Sequence, residues 1–273
     1  MKIVFNCHTE YDLKNQFGWA KKLDSKKQSF VHLPMLLDWF NSLKIPITFA
    51  LAVGGPFEER LLEYVKNKQI KFSDSSELAI HYHSDKFTDG QWQPAGFLEE
   101  SAYLDYFQKF EEVFGFKPKS SVFGKWQLDR TAMDFLSRLG IKKDGSFVDS
   151  EKVIAKPFLR DNILEVPAAS FRGEPVNPFS RLSHFFLLKK IIKEYHQRNL
   201  ILQIGFHSYD FFRFGERPRL RPIKKFIFKN LLKLIKKYNL EITILSKIEE
   251  GNFDELTEIK MPFWGKLFNL LGH

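Results

Sequence analysis

Short apolar runs alternate with amphipathic segments along almost the whole chain, and this alternation limits the folds it can adopt. Runs such as Ile47–Val53 and Leu200–Phe206 have the length and composition of buried strands. Segments such as Phe30–Leu43 and Pro222–Tyr238 repeat apolar residues every three or four positions, which predicts helices that bury one face. Repeated strand–helix units are typical of parallel sheets, and about seven of them favour an α/β barrel over an open sheet.

The composition excludes several other classes of protein. The chain has 273 residues and one cysteine, Cys7, which excludes an internal disulfide framework and a multi-cysteine zinc module. The start is polar by Asn6 and no run approaches the roughly 18 apolar residues of a membrane span, so we expect a cytoplasmic protein. No GxGxxG or GxxxxGK[ST] motif follows a strand, so the nucleotide-binding fingerprints are absent. The 30 phenylalanines are expected mainly to pack the barrel helices.

Histidines stand at the ends of three predicted strands. His8 ends the first strand, His81 and His83 end the third, and His207 ends a strand late in the chain. Because the carboxyl ends of barrel strands meet at one mouth, these side chains are expected to share a pocket with nearby carboxylates. The candidate group is His8, Glu10, His81, His83, Asp85 and His207. Imidazoles with one or two carboxylates suit Zn²⁺, our first candidate, and also Ni²⁺, Co²⁺ or Fe²⁺.

The motifs of this chain resemble those of the polysaccharide deacetylase family, the NodB-homology domains of carbohydrate esterase family 4. The matching segments, in the family's order, are His8–Glu10, Pro46–Ala50, Glu77–Asp85, Val122–Asp129, Leu164–Pro167 and Gly205–Asp210. The resemblance implies an α/β fold, a distorted (β/α)7 barrel of the polysaccharide deacetylase type. We place this barrel over residues 1–250 and a C-terminal tail over residues 251–273.

The resemblance also implies a metal site built from one carboxylate and two histidines. Glu10 and His81 match two of these ligands. The third is either Asp85, four residues after His81, or His83, as in a subgroup with a His-x-His motif. Residues two apart in a strand point to the same side, so His81 and His83 can both face the mouth.

Proton transfer in the family needs a base and an acid. His8 stands where the family has its base, an aspartate, so His8 is either the base or a fourth ligand that leaves Glu10 as the base. By resemblance, His207 protonates the leaving amine, while Val122 occupies the place of a supporting arginine. The candidate substrate contacts are Lys125, Trp126 and Tyr209. Trp126 is as well explained as a residue of the core.

Two functions follow from these motifs. The first is a divalent-metal-dependent deacetylase, a hydrolase that acts on an N-acetylated sugar or glycan in polysaccharide or cell-envelope biosynthesis. The second is a catalytically inactive relative that binds a glycan without cleaving it. The replacements at His8 and Val122 keep the second function open.

Much of the net charge of +9 lies in one stretch. Residues Arg213–Lys237 carry ten lysines and arginines against one acid, Glu216. This stretch is either a barrel helix with solvated lysines or a surface for an anionic membrane or a lipid-linked glycan. In the second case the protein is peripheral at the inner membrane face. The aromatic tail around Phe263–Phe268 either inserts at that interface or packs on the barrel, and no nucleic-acid partner is expected.

Overall fold

The computed structural model describes most of the chain. The described residues are 1–10, 30–52, 59–82, 85–88, 91–94, 100–124, 130–148, 157–160, 162–171, 174–197, 199–213 and 218–249. The predicted tail, residues 251–273, lies outside them, so the division between barrel and tail stays a prediction.

Helices and strands alternate along the described residues, as the sequence predicts. The helices are α1 His32–Leu43, α2 Glu59–Asn67, α3 Glu100–Phe114, α4 Arg130–Arg138, α5 Leu182–Gln197 and α6 Pro222–Lys237. The strands are β1 Lys2–Thr9, β2 Thr48–Ala52, β3 Glu77–Tyr82, β4 Asp85–Thr88, β5 Gln91–Pro94, β6 Ser120–Phe123, β7 Lys143–Asp144, β8 Phe158–Arg160, β9 Ile163–Glu165, β10 Ser170–Phe171, β11 Glu174–Pro175, β12 Ile201–His207, β13 Phe212–Arg213, β14 Arg219–Leu220 and β15 Glu241–Thr243. None of these helices is both long and apolar enough to cross a bilayer.

The long elements and the short strands β6, β9 and β15 agree with the predicted ones, whereas β7, β8 and the hairpin strands were not predicted. The pairs β4–β5, β10–β11 and β13–β14 are small antiparallel hairpins outside the main sheet. These strands of two to four residues show too few alternations of polar and apolar side chains to be recognised from a pattern. The hairpins insert into the connections between barrel strands, where they leave the βα order unchanged.

The main sheet consists largely of parallel strands in the order β12-β1-β2-β3-β6-β7-β9-β8. β8 alone pairs antiparallel, with β9, and β15 joins β1 beside the start of β2. The seven parallel strands that remain, β1, β2, β3, β6, β7, β9 and β12, agree in number with the strands of the predicted barrel. Among the described residues a helix follows each of them except β7.

The circuit of strands closes at a narrow seam between β9 and β12. One parallel bridge joins Ala168, just beyond β9, to Gln203 of β12. Pro167 has no N–H to donate, which limits the ladder at this point. The Gln203 side chain reaches across the seam and donates from Nε2 to the Gly145 carbonyl oxygen at 2.8 Å. A Cβ atom at position 145 would lie 2.5 Å from Gln203 Oε1, so glycine leaves the room that this side chain needs.

The strands are buried on both sides, as parallel barrel strands must be. Ile3, Phe5 and Cys7 belong to the outer core, which packs the strands against the helices. Val4 belongs to a smaller inner core formed by apolar residues of the neighbouring strands. Because alternate residues of a strand share a side, His8 lies on the same inner side as Val4.

Aromatic rings fill the outer core beside β1 and β12. The Phe228 ring of α6 lies 5.2 Å from Phe5, 5.4 Å from Phe40 and 5.6 Å from Phe179, measured between ring centroids. All four side chains are at most 2% exposed. The abundance of phenylalanine therefore serves packing between the barrel and its helices, as expected.

A buried carboxylate holds the end of the barrel opposite the strand-end histidines. Glu77, at the start of β3, accepts hydrogen bonds from Thr48 Oγ1 at 3.1 Å and Ser120 Oγ at 2.7 Å. It also accepts from the backbone N–H of Ser246 at 3.0 Å, in the 3₁₀ turn that follows β15. Glu77 opens one of the deacetylase-like motifs, and its role in this structure is to fasten that turn to the barrel floor.

Candidate metal centre and active site

Strand register brings three of the predicted histidines to one mouth. β1 pairs with β12 so that His8 lies beside His207. On its other side β1 pairs with β2, and His8 lies beside Ala50. Two residues nearer the mouth on β2 is Ala52, which pairs with His81 of β3. The His8 ring centroid is 4.7 Å from that of His81 and 5.1 Å from that of His207. The convergence expected from the strand ends is therefore present.

Three side chains at this mouth have the composition and spacing of a metal site. His8, Glu10 and His81 each offer a ligand atom, and these atoms all lie within 4.8 Å of one another. Glu10 Oε1 is 3.3 Å from His81 Nε2. All three residues are buried, so the carboxylate and the two imidazoles are shielded from solvent. Two nitrogens and one oxygen form a donor set that Zn²⁺ accepts, with room in its coordination for a water or a substrate.

The group differs in part from the predicted ligand set. Glu10 and His81 are in it, as expected, and the second histidine is His8, which we had considered as a base or a fourth ligand. His83 lies outside the described residues. Asp85 begins the hairpin strand β4, where its backbone alone is described, so its role as a ligand stays a prediction.

The backbone of Glu10 is held by a buried serine and histidine. Ser208 Oγ donates to the Glu10 carbonyl oxygen at 3.0 Å and accepts from the Glu10 N–H at 3.2 Å. His32 Nε2, on α1, lies 3.1 Å from the same hydroxyl. Since the hydroxyl proton points to Glu10, His32 must donate, which places the His32 proton on Nε2. Burial lowers the pKa of His32 to about 4, so this imidazole is neutral near pH 7.

His207 is the most accessible of the three histidines, with 30% of its side chain exposed. Its Nε2 is 3.8 Å from Glu10 Oε1, so this nitrogen lies toward the metal-ligand group. Its Nδ1 is 3.6 Å from Asp210 Oδ2. The same Asp210 oxygen accepts from the His207 backbone N–H at 2.8 Å and from Asn177 Nδ2 at 2.6 Å. The His207 side chain also accepts a hydrogen bond from the Asp210 backbone N–H. Asp210 therefore holds both the backbone and the ring of His207, and Asn177 holds Asp210.

The predicted substrate contacts are located only in part. The Tyr209 ring stacks on the His207 ring, with centroids 4.7 Å apart and planes inclined by 12°. Lys125 and Trp126 lie outside the described residues. All three contacts stay predictions.

Two buried residues line the inside of the barrel next to the candidate ligands. Val122, where the family carries an arginine, pairs in register with His81 and is fully buried in the inner core. Asn6, two residues before His8, is fully buried, and its side-chain amide makes no hydrogen bond to a described residue. A buried amide needs a partner, and a water or ligand in the barrel beneath His8 would supply one.

Sequence reasoning did not find His32, Ser208, Asp210 or Asn177. Ser208 and Asp210 lie next to a predicted site residue, and that proximity was the available signal. His32 and Asn177 have none, because they reach their partners across 176 and 33 residues of chain.

Comparison with known proteins supports the architecture. No protein-family model matches the sequence, and neither does any curated protein. A structure from Mycobacterium smegmatis assigned to the polysaccharide deacetylases gives a TM-score of 0.62 at 14% identity, over 95% of this chain and 94% of its own. A Pseudomonas aeruginosa PAO1 structure with the same assignment gives 0.55 at 13% identity, over 89% and 87%. An allantoinase gives 0.55 at 13% identity, over 89% and 86%.

These structures match this chain over most of both lengths. At such low identities the likeness establishes the architecture of the molecule. The chain has the α/β barrel fold of the polysaccharide deacetylases.

Proposed function

We propose that the chain is a divalent-metal-dependent hydrolase that removes the acetyl group from an N-acetylated sugar or glycan. The observation that carries this proposal is the grouping of His8, Glu10 and His81 at the mouth of a deacetylase-type barrel. His207 lies at the rim of the same group, with one ring nitrogen toward it and the other beside Asp210. Acetate and a free amine on the sugar are the products.

His8, Glu10 and His81 would hold the metal, with Zn²⁺ as the first candidate and Ni²⁺, Co²⁺ or Fe²⁺ as alternatives. At these residues a metal would supply Lewis-acid chemistry: polarisation of the acetyl carbonyl and a lower pKa for a bound water. The buried position of the three ligands keeps bulk water away from them, and Ser208 fixes the backbone that carries Glu10. With His8 as a ligand at the position of the family's base, the second carboxylate oxygen of Glu10 is left as the base.

His207 is the proposed acid. Its side chain accepts a hydrogen bond from the Asp210 backbone N–H, so the proton of the neutral imidazole lies on Nε2, the nitrogen that faces Glu10. As the oxygen of the attacking water bonds to the acetyl carbon, Glu10 would take the water proton. As the C–N bond breaks, His207 Nε2 would give its proton to the leaving nitrogen of the sugar. The proton on Glu10 would then pass to His207, whose Nε2 is 3.8 Å from Glu10 Oε1.

The alternative function is glycan binding without hydrolysis. It is favoured by the histidine at position 8, where deacetylases of this type carry an acidic base. Under this alternative the mouth holds an acetylated glycan, and no acetate is released.

Metal content and acetate release test the proposal together. Purified protein is expected to hold close to one divalent metal per chain and to release acetate from N-acetylglucosamine oligomers. His81→Ala should lose both properties, because it removes one of three ligands. The matched control is His196→Ala, which removes an exposed histidine at the end of α5 and should change neither.

The two functions give different results in this assay. Glycan binding with no acetate release, followed by activity in His8→Asp, would establish the binding function for the natural chain. A protein with no bound metal and no affinity for Zn²⁺ or Ni²⁺ would overturn the metal proposal itself.

The finer details of substrate and location remain proposals drawn from the sequence. We place the protein in the cytoplasm, in the synthesis of a polysaccharide or of the cell envelope. A lipid-linked glycan is the form of substrate that fits the basic stretch Arg213–Lys237.

A further inference from the structure

Helices α1 and α6 are neighbours, and both begin at the mouth of the barrel. The parallel strands run toward the mouth, so α1, which follows β1, and α6, which follows β12, start there and run back along the barrel. Trp39 and Phe40 of α1 pack on Phe228 of α6, with ring centroids 5.5 and 5.4 Å apart. The N–H of Arg221, at the start of α6, donates to the carbonyl oxygen of Phe211 at 2.7 Å, four residues after His207.

The first turns of these two helices expose large apolar side chains. Val31, which directly precedes α1, is 51% exposed, and Met35 of α1 is 40% exposed. Ile223 and Phe226 of α6 are 47% and 60% exposed. Among the described residues seven large apolar side chains are this exposed, and four of them lie here. Their concentration at one end of two adjacent helices distinguishes them from the scattered apolar residues of an ordinary surface.

Positive charge surrounds the exposed apolar residues. α6 contains six lysines and no acid, and Arg219 and Arg221 precede it. None of the six lysines forms a salt bridge with a carboxylate of the described chain. Lys225 lies over the Trp39 ring at 5.7 Å, which joins the charge of α6 to the surface of α1. The one acid of α1 is Asp38, which is exposed.

We propose that this mouth-rim face, formed by Val31, Met35, Ile223, Phe226 and the basic residues Arg221, Lys225, Lys229 and Lys233, docks on an anionic lipid bilayer. The apolar side chains would enter the headgroup region while the lysines lie against lipid phosphates. A soluble polyanion would use the lysines and leave Phe226 and Ile223 in water. A second copy of the chain would bring two faces of the same charge together.

Docking in this way would also orient the molecule. Because both helices begin at the mouth, docking through this face would bring the edge of the mouth to the membrane surface. A glycan carried on a lipid would then reach His207 without leaving the surface. This consequence rests on the proposed function, whereas the docking itself can be measured without any enzymatic activity.

Vesicle sedimentation with two lipid compositions tests the docking. The full chain is expected to sediment with vesicles of phosphatidylcholine mixed with phosphatidylglycerol, and not with phosphatidylcholine alone. Lys229→Glu with Lys233→Glu should weaken binding by about 25-fold, since each lysine near such a surface contributes about fivefold. The control with the same change of net charge is Lys66→Glu with Lys193→Glu, on α2 and α5, which should bind close to the wild type.

A second pair of variants tests the apolar contribution. Ile223→Ser with Phe226→Ser should weaken binding roughly tenfold, because the apolar area that enters the lipid is lost. Phe116→Ser, at a phenylalanine between α3 and β6 that is 47% exposed, should have no effect. Acetate release from a water-soluble acetylated sugar should be the same in all these variants, which separates docking from catalysis.

Several outcomes would overturn the docking proposal. One is equal loss of binding in the two lysine pairs, which would show a general effect of net charge. Another is binding to heparin as tight as to vesicles and insensitive to the serine variants, which would identify a soluble polyanion as the partner. A dimer that dissociates on substitution of Phe226 would identify a second copy, and the absence of binding to either vesicle would exclude the surface altogether.

Discussion

Removing the Glu77 carboxylate should destabilise the protein and leave its metal site intact. Oε2 of Glu77 accepts from Thr48 Oγ1 and the Ser246 N–H, and Oε1 accepts from Ser120 Oγ. Thr48 Oγ1 in turn accepts from the Leu245 N–H at 2.9 Å, so the 3₁₀ turn depends on this carboxylate twice. Glu77→Ala leaves three donors without their acceptor, two of them fully buried and the Ser246 N–H partly buried, at about 1–3 kcal/mol for each buried donor. Because the two hydroxyls can turn to other acceptors, we expect a total loss of roughly 3–5 kcal/mol.

Urea unfolding of the wild type and the variant measures this loss as a difference in the free energy of unfolding. Glu77→Gln is the matched control. Its amide oxygen can take the place of Oε2, and its amide nitrogen can donate to Ser120 Oγ, so the cost should be about 1 kcal/mol. Metal content should stay at the wild-type level in both variants. A Glu77→Ala protein that keeps its stability but loses its metal would refute the assignment of Glu77 to the barrel floor.

Two further predictions concern residues around the mouth. Asp210→Asn keeps an oxygen that can accept from Asn177 but removes the negative charge beside His207. Acetate release should therefore fall about 10- to 100-fold while metal content stays unchanged. A parallel loss of metal would show that Asp210 has a structural role instead. Burial, reinforced by Arg181, lowers the pKa of His184 from 6.5 to about 4, and His184 Nδ1 accepts from the Asn177 N–H while it is neutral. Between these pH values the unfolded chain binds the proton and the folded chain does not, so the free energy of unfolding should fall by about 2–3 kcal/mol as pH drops from 6.5 to 4. Urea unfolding over this range checks the slope, and His184→Gln, which does not titrate, should reduce it.

The convergence of the three histidines, which the sequence predicts, has a simple physical basis. His8, His81 and His207 are far apart in the sequence, but each ends a strand, and parallel strands of one barrel end at one mouth. Position in the repeating pattern was therefore enough to bring them together. The same pattern located the long helices, whose apolar faces repeat over three or more turns.

The supporting residues could not be predicted in this way. His32 lies in the first turn of an amphipathic helix, where a polar residue is expected to face solvent, yet it is fully buried against Ser208. Its position depends on how α1 packs against the barrel, which spacing along the chain does not specify. Glu77 illustrates the opposite case. Its motif pointed to the mouth, but six residues of extended strand carry the chain from the floor at Glu77 toward the mouth at its other end.

The narrow seam has a consequence for how this barrel can deform. Continuous ladders join β12 through β1 and β2 to β3, and these strands carry His8, His81 and His207. Between β9 and β12 a single bridge and the Gln203 amide replace such a ladder. A bulky glycan that widens the opening would separate the wall where the fewest hydrogen bonds must break. The barrel can therefore open between β9 and β12 while the strands β12, β1, β2 and β3 keep the three imidazoles at fixed spacing.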